Sequence, residues 1–159
     1  MKNIVLVDDN RYIVEALALT IAMNDATCNI LKAKNGKEAV DILRQVPVDL
    51  ILTDINMPVM DGFGLIGQRN NHWPHVPLVA MTGDTSPEVM EKLSDLGITD
   101  CLEKPFDYSA VTRLLIEKLG KLPHVHDLQQ VSARFDTGES PSRLTTVSGG
   151  RRWCAHSCS

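Results

Sequence analysis

Short apolar runs alternate with stretches of helical spacing through the first 120 residues. Ile4-Val5-Leu6-Val7 is the first run, and others fall at 28–33, 50–53, 77–81 and 98–102. Each is short, largely apolar and bounded by polar or turn-forming residues. That is the signature of a strand buried on both faces. Between the runs the period changes. Residues 11–21 place apolar side chains at 13, 14, 17, 18 and 21, one stripe of a helix. Gly36 opens a second helix with Ala39, Val40 and Leu43 on one face, and a shorter one is expected over 63–69. Ser86-Pro87 reads as a cap followed by a first helical turn, and that helix should stop at Gly97. A last helix runs from Asp107 through Val111, Leu114 and Leu115 to Gly120. Five strand–helix units predict an α/β fold, a doubly wound parallel sheet with right-handed crossovers and helices on both faces.

Beyond residue 121 the periodicity stops. Residues 131–159 are rich in Ser, Thr and Gly with scattered Arg, and 124–135 could add a helical turn or two. The expected organisation is one domain over 1–121 and a mostly disordered tail over 122–159 with no recognisable output domain. Such a chain is either a stand-alone domain or a piece of a larger protein.

Composition narrows the class. Hydrophobic residues make up 43% of the chain and aromatics only 4%, so aliphatic side chains must build the core. No run approaches the ~20 apolar residues of a membrane span. Met1-Lys2-Asn3 leads straight into the first strand and leaves no room for a signal peptide. The expectation is a cytoplasmic protein, in which Cys28, Cys101, Cys154 and Cys158 stay reduced. Cys154-Ala155-His156-Ser157-Cys158 lacks a fourth ligand and reads as a tail with incidental thiols. The first 120 residues hold 11 Lys and Arg against 17 Asp and Glu, a net of −6, and the remainder carries +2. An acidic body argues against nucleic acid as the direct ligand.

The acids are not scattered evenly. Asp8 and Asp9 follow the first strand, Asp54 the third, Thr82 the fourth, and Lys104 lies just past the fifth. In a parallel sheet all five converge on the carboxyl edge, where open α/β folds place their ligands. Three carboxylates there repel one another unless a cation or protons neutralise them. The set suits a hard divalent cation such as Mg²⁺. The hydroxyl and the ammonium suit the oxygens of a transferred phosphoryl group. Mg²⁺-dependent phosphoryl chemistry follows, with a carboxylate available as nucleophile.

These pieces, in order, are Leu6-Val7-Asp8-Asp9-Asn10, Asp54-Ile55-Asn56-Met57-Pro58-Val59-Met60-Asp61-Gly62, Met81-Thr82-Gly83 and Lys104-Pro105-Phe106. Together they resemble the receiver domain of two-component response regulators, including chemotaxis regulators, over residues 1–121. The resemblance implies a flavodoxin-like five-stranded sheet of order 2-1-3-4-5 with five helices. It implies Asp54 as the acceptor of a phosphoryl group from a sensor histidine kinase or a histidine phosphotransfer protein. Asp9 and Asp54 would bind Mg²⁺ through carboxylate oxygens, Asp8 through water, and Asn56 through its backbone carbonyl. Thr82 and Lys104 would engage phosphoryl oxygens, and the Lys104–Pro105 bond would be cis. The output would be a surface of the fourth helix, fifth strand and fifth helix that binds a downstream protein. A homodimer is compatible with that arrangement, and neither nucleic acid nor membrane is a direct partner. Such a domain is a signalling phosphoacceptor rather than an enzyme with turnover. Asn56 and Asp84 occupy positions that tune self-dephosphorylation, and polar groups at both imply a phosphoryl lifetime that is not unusually long. One departure stands out: the family's usual aromatic switch residue is replaced by Cys101.

Two other classes use parts of this constellation. A haloacid-dehalogenase-type phosphatase also places Asp, Thr and Lys around Mg²⁺, but wants a D-x-D after its first strand, which Asp8-Asp9-Asn10 does not supply. An unphosphorylated scaffold would have no use for the complete set of acids, hydroxyl and lysine.

Overall fold

The computed structural model describes residues 1–24 and 27–120. The expected tail, the helical turns at 124–135 and the Cys154–Cys158 cluster lie outside the described residues. Five strands and five helices alternate strictly. They are β1 (Asn3–Val7), α1 (Arg11–Asn24), β2 (Asn29–Ala33), α2 (Gly36–Gln45) and β3 (Leu50–Asp54), then α3 (Gly62–His72), β4 (Leu78–Thr82), α4 (Pro87–Asp95), β5 (Cys101–Glu103) and α5 (Tyr108–Leu119). All neighbours in the sheet are parallel, in the order β2-β1-β3-β4-β5. The three central strands are the apolar ones. β3 and β4 are buried along their whole length, as strands covered on both faces must be.

Alternation along each strand divides the core into two layers. Ile4, Leu6, Leu50, Leu52, Val79, Met81 and Leu102 face α1 and α5, where they meet Leu17, Ile21, Val111 and Leu115. Val5, Val7, Ile51, Leu78 and Ala80 face the other way, against Val40 and Leu43 of α2, Leu65 and Ile66 of α3, and Leu93 of α4. Each fully buried aliphatic side chain contributes roughly 1.5–3 kcal/mol. Leu93 is the only buried residue of α4, so that helix is the most lightly held of the five.

Two boundaries differ from the sequence expectation, each for a local reason. The last strand begins at Cys101 rather than Ile98. Ile98 instead closes the end of α4: its N–H reaches the Leu93 carbonyl at 2.9 Å, and that of Gly97 (φ +76°) reaches Ser94 at 2.9 Å. This paired arrangement joins Ile98 and Leu93 in one apolar cluster, so the apolar residue serves a helix cap. α3 extends to His72 because Arg69 Nε donates to the Val76 carbonyl at 2.6 Å and Asn70 Nδ2 to Leu96 at 2.9 Å. Those bonds secure a polar final turn that apolar spacing cannot reveal. Ser86 sits at the N-cap of α4 without a side-chain bond. Its own N–H is taken by the Asp84 carboxylate at 2.9 Å.

Candidate functional site

The carboxyl ends of β1, β3, β4 and β5 bring Asp8, Asp9, Asp54, Thr82 and Lys104 to one edge, as the strand endings predict. Asp54 and Thr82 are the last residues of their strands rather than the first of the loops. The pairing of Asp54 with Met81, and the Ile55 N–H on the Met81 carbonyl, carry the ladder one step further than the apolar run.

Asp54 is therefore held from its own backbone. Its Oδ1 accepts the Ile55 N–H at 2.9 Å, and the Thr53 hydroxyl donates to the Asp54 carbonyl at 2.9 Å. Gly62 packs so closely that a Cβ there would fall 2.4 Å from that same carbonyl oxygen. Asp8 accepts the Asn10 N–H on Oδ1 at 2.8 Å, and the Asn10 side chain in turn takes the Tyr12 N–H that opens α1. Asp9 is exposed beside them. One carboxylate oxygen from each of Asp8, Asp9 and Asp54 can be chosen with all three within 4.8 Å of one another.

Lys104 spans this cluster. Its Nζ lies 2.7 Å from Asp8 Oδ2 and 3.0 Å from Asp54 Oδ1. The Lys104 N–H donates to the Thr82 carbonyl at 2.8 Å, which anchors the lysine beside β4, and its bond to Pro105 is cis. Burial works against the ammonium, yet its bonds to Asp8 and Asp54 and their charges together raise the lysine pKa. For Asp54 the balance falls the other way. Burial of the carboxylate is the largest influence and Asp8 adds repulsion, so its pKa is raised despite Lys104 and the Ile55 N–H. One ammonium, with a single positive charge, is shared between two buried acids and cannot neutralise both.

Thr82 is fully buried. Its hydroxyl donates to the Asp84 carbonyl at 3.2 Å and accepts the Asp84 N–H at 3.0 Å, so it is engaged with the turn leading into α4. The Asp84 carboxylate is exposed, and its bonds with Ser86 hold its pKa below the usual range. Asn56 is exposed in the β3–α3 loop. Cys101 is half-buried against the apolar layer shared with α2, α3 and α4. Burial, reinforced by Glu103, raises the thiol pKa. A cavity of about 290 Å³ bounded by Leu43, Val46, Pro47, Trp73 and Val76 opens at the amino ends of the strands and takes no part in the site.

The sequence reading left out how the β3–α3 loop is clamped. Met60 accepts the Gly36 N–H on its carbonyl at 2.9 Å, and its side chain fills the space a Cβ at Gly36 would occupy. Gly62 donates to the Ile55 carbonyl at 2.9 Å. Gly36 and Gly62 are the sequence signal for such contacts, because only a missing Cβ permits them.

A parallel sheet of this order, with carboxylates at its switch edge and a lysine from the last strand reaching back across them, defines the receiver class of signalling domains. Comparison with known proteins agrees. The response regulator receiver domain family matches residues 4–116, and the chain belongs to that family. The response regulator protein FleR of Pseudomonas aeruginosa is 32% identical over 125 residues, which cover 76% of this chain and 25% of that protein. A probable cyclic di-GMP phosphodiesterase of Vibrio cholerae is 42% identical over 78 residues, 48% of this chain and 18% of its own length. The chain thus spans a quarter or less of these two curated relatives. The solved structure of the chemotaxis response regulator CheY4 of Vibrio cholerae superposes with a TM-score of 0.66 at 29% identity, covering 74% of this chain and 98% of that one. No described helix is long and apolar enough to cross a membrane.

Proposed function

We propose that this domain accepts a phosphoryl group on Asp54 from a phosphohistidine carried by a sensor histidine kinase or histidine phosphotransfer protein. The observation that carries this reading is the Lys104 bridge between Asp8 and Asp54. A buried carboxylate with one oxygen spent on Lys104 and Ile55 presents its other oxygen, Oδ2, as the nucleophile. Attack at phosphorus forms the P–O bond and breaks the P–N bond. The electron pair leaves on the imidazole nitrogen, which takes up a proton. Hydrolysis reverses the modification: water attacks phosphorus, the P–O bond to Asp54 breaks, and phosphate leaves.

The donor set of Asp8, Asp9 and Asp54 consists of hard oxygens within reach of one ion, which fits Mg²⁺. Asp9 and Asp54 would hold it directly, Asp8 through water, and Asn56 through its carbonyl. Bound there, the ion would neutralise charge on the phosphoryl oxygens. Lys104 would turn from Asp54 to a phosphoryl oxygen, and Thr82 would exchange its bond to Asp84 for another. The exposed Tyr12, Leu19 and Met23 fall at i, i+7 and i+11 on α1, which starts two residues after Asp9. That apolar stripe suits a protein donor better than a small phosphate ester. Location in the cytoplasm and a downstream partner on the α4–β5–α5 face belong to the same reading.

Asn56, two residues after the acceptor, and Asp84, two after Thr82, would orient the hydrolytic water. Asn56→Ala and Asp84→Ala are each expected to slow decay of the Asp54 adduct several-fold. Decay followed by intact mass checks this, and unchanged rates would remove both residues from that role. Cys101 is too small to report Thr82 movement by a ring swing, so the readout is muted or different from the aromatic one. Structures with and without a phosphoryl mimic test this: a large shift of β5 and α4 would refute a muted readout.

A further inference from the structure

Val59 combines two costs that nothing in the isolated domain offsets. Its φ is +71°, the only positive φ at a non-glycine among the described residues. The Met60 N–H donates back to the Pro58 carbonyl at 2.8 Å, which makes Val59 the centre of a three-residue γ-turn of the uncommon, strained hand. A β-branched residue there is strained. Glycine or asparagine would occupy the position with far less strain. The side chain receives no burial in return, being 80% exposed. Relaxation is blocked on both sides. Met60 is tied to Gly36, and Gly62 is tied to Ile55 and packed on the Asp54 carbonyl. The loop that begins at the acceptor therefore holds an apolar, branched side chain out at the rim of the site.

We infer that Val59 is a specificity-determining contact for the phosphohistidine-bearing donor protein, buried by apolar side chains of that protein during transfer. This rests on the phosphoacceptor reading above. A donor that brings an imidazole-borne phosphorus to Asp54 must lay its surface over the 55–61 loop, and Val59, beside the exposed Pro58, is the exposed large hydrophobic residue of that loop. Strain and exposure are then compensated in the complex rather than in the free domain. A small donor needs no such surface and passes Val59 by.

The test uses Val59→Gly and Val59→Asn in the full chain, with acetyl phosphate as small donor and phosphorylated histidine phosphotransfer domains as protein donors. The protein donor is the one that labels wild type fastest. Both variants are expected to melt at higher temperature than wild type and to match its acetyl phosphate labelling within about twofold. Transfer from the protein donor should fall by about tenfold or more, since losing one buried apolar contact worth over 1.4 kcal/mol is a factor of ten. Unchanged transfer from the protein donor would overturn the inference, as would equal losses with both donors, which would place Val59 in acceptor geometry instead. Failure of acetyl phosphate to label wild type at Asp54 would strike the phosphoacceptor reading itself.

Discussion

Asp54→Asn is expected to abolish covalent labelling by acetyl phosphate and Mg²⁺ while making the domain more stable. The first half follows from chemistry: an amide nitrogen or oxygen does not replace the carboxylate as nucleophile. The second follows from crowding. Asp54 is buried beside Asp8, one lysine serves both, and burial raises its pKa above the ordinary carboxylate value. A raised folded-state pKa means that ionisation costs stability. The contribution of this group is fully present below the unfolded pKa and is lost as pH rises through the folded one. The asparagine variant escapes that loss, so its advantage should be small in acid and largest at neutral pH, about 1 kcal/mol. Intact mass reads the labelling, and thermal melts across pH read the stability. An adduct surviving in Asp54→Asn would move the acceptor elsewhere. No adduct on either protein with Mg²⁺ present would favour the scaffold reading.

Lys104→Ala should do the opposite to stability. Removing the ammonium leaves Asp8 and Asp54 facing each other without a counter-ion, one of them with a side chain only 1% exposed. Breaking a buried pair by deleting one partner costs about 3–5 kcal/mol, and the partial exposure of Lys104 brings the expectation down to about 2 kcal/mol. Divalent cation should recover much of it. In wild type the ion must share Asp54 with the lysine, whereas in the variant it meets two unpaired acids. Mg²⁺ is therefore expected to raise the melting temperature more in Lys104→Ala than in wild type, by linkage of binding to folding. An equal shift in the two proteins would mean that the lysine does not compete for the acidic cluster. Labelling of Asp54 should also slow, because on the proposed reading Lys104 would meet a phosphoryl oxygen.

Much of the frame was legible because burial is legible. Strands covered on both faces read as unbroken apolar runs, and the residues after them fall at one edge by topology alone. That reasoning placed Asp8, Asp9, Asp54, Thr82 and Lys104 together before any distance was known. It failed where an apolar residue had a different employer. Ile98 looked like strand and closes a helix end. Pairing was not legible at all. Nothing in the spacing says that Lys104 spans Asp8 and Asp54, or that the Thr82 hydroxyl faces Asp84 rather than the acids, since both depend on side-chain rotation at a fixed edge.

On the phosphoacceptor reading, the engagement of Thr82 sets how quiet the resting domain can be. Its hydroxyl hydrogen lies on the Asp84 carbonyl, so moving toward a phosphoryl oxygen means giving up that bond and the return bond from the Asp84 N–H. Each is worth only about 0.5–1.5 kcal/mol net. At 1.4 kcal/mol per factor of ten, that latch alone biases the population by about five- to 140-fold. A receiver held by so little spends a measurable fraction of its time released without phosphate. On the proposed reading, a downstream partner would then see a standing background that phosphorylation amplifies.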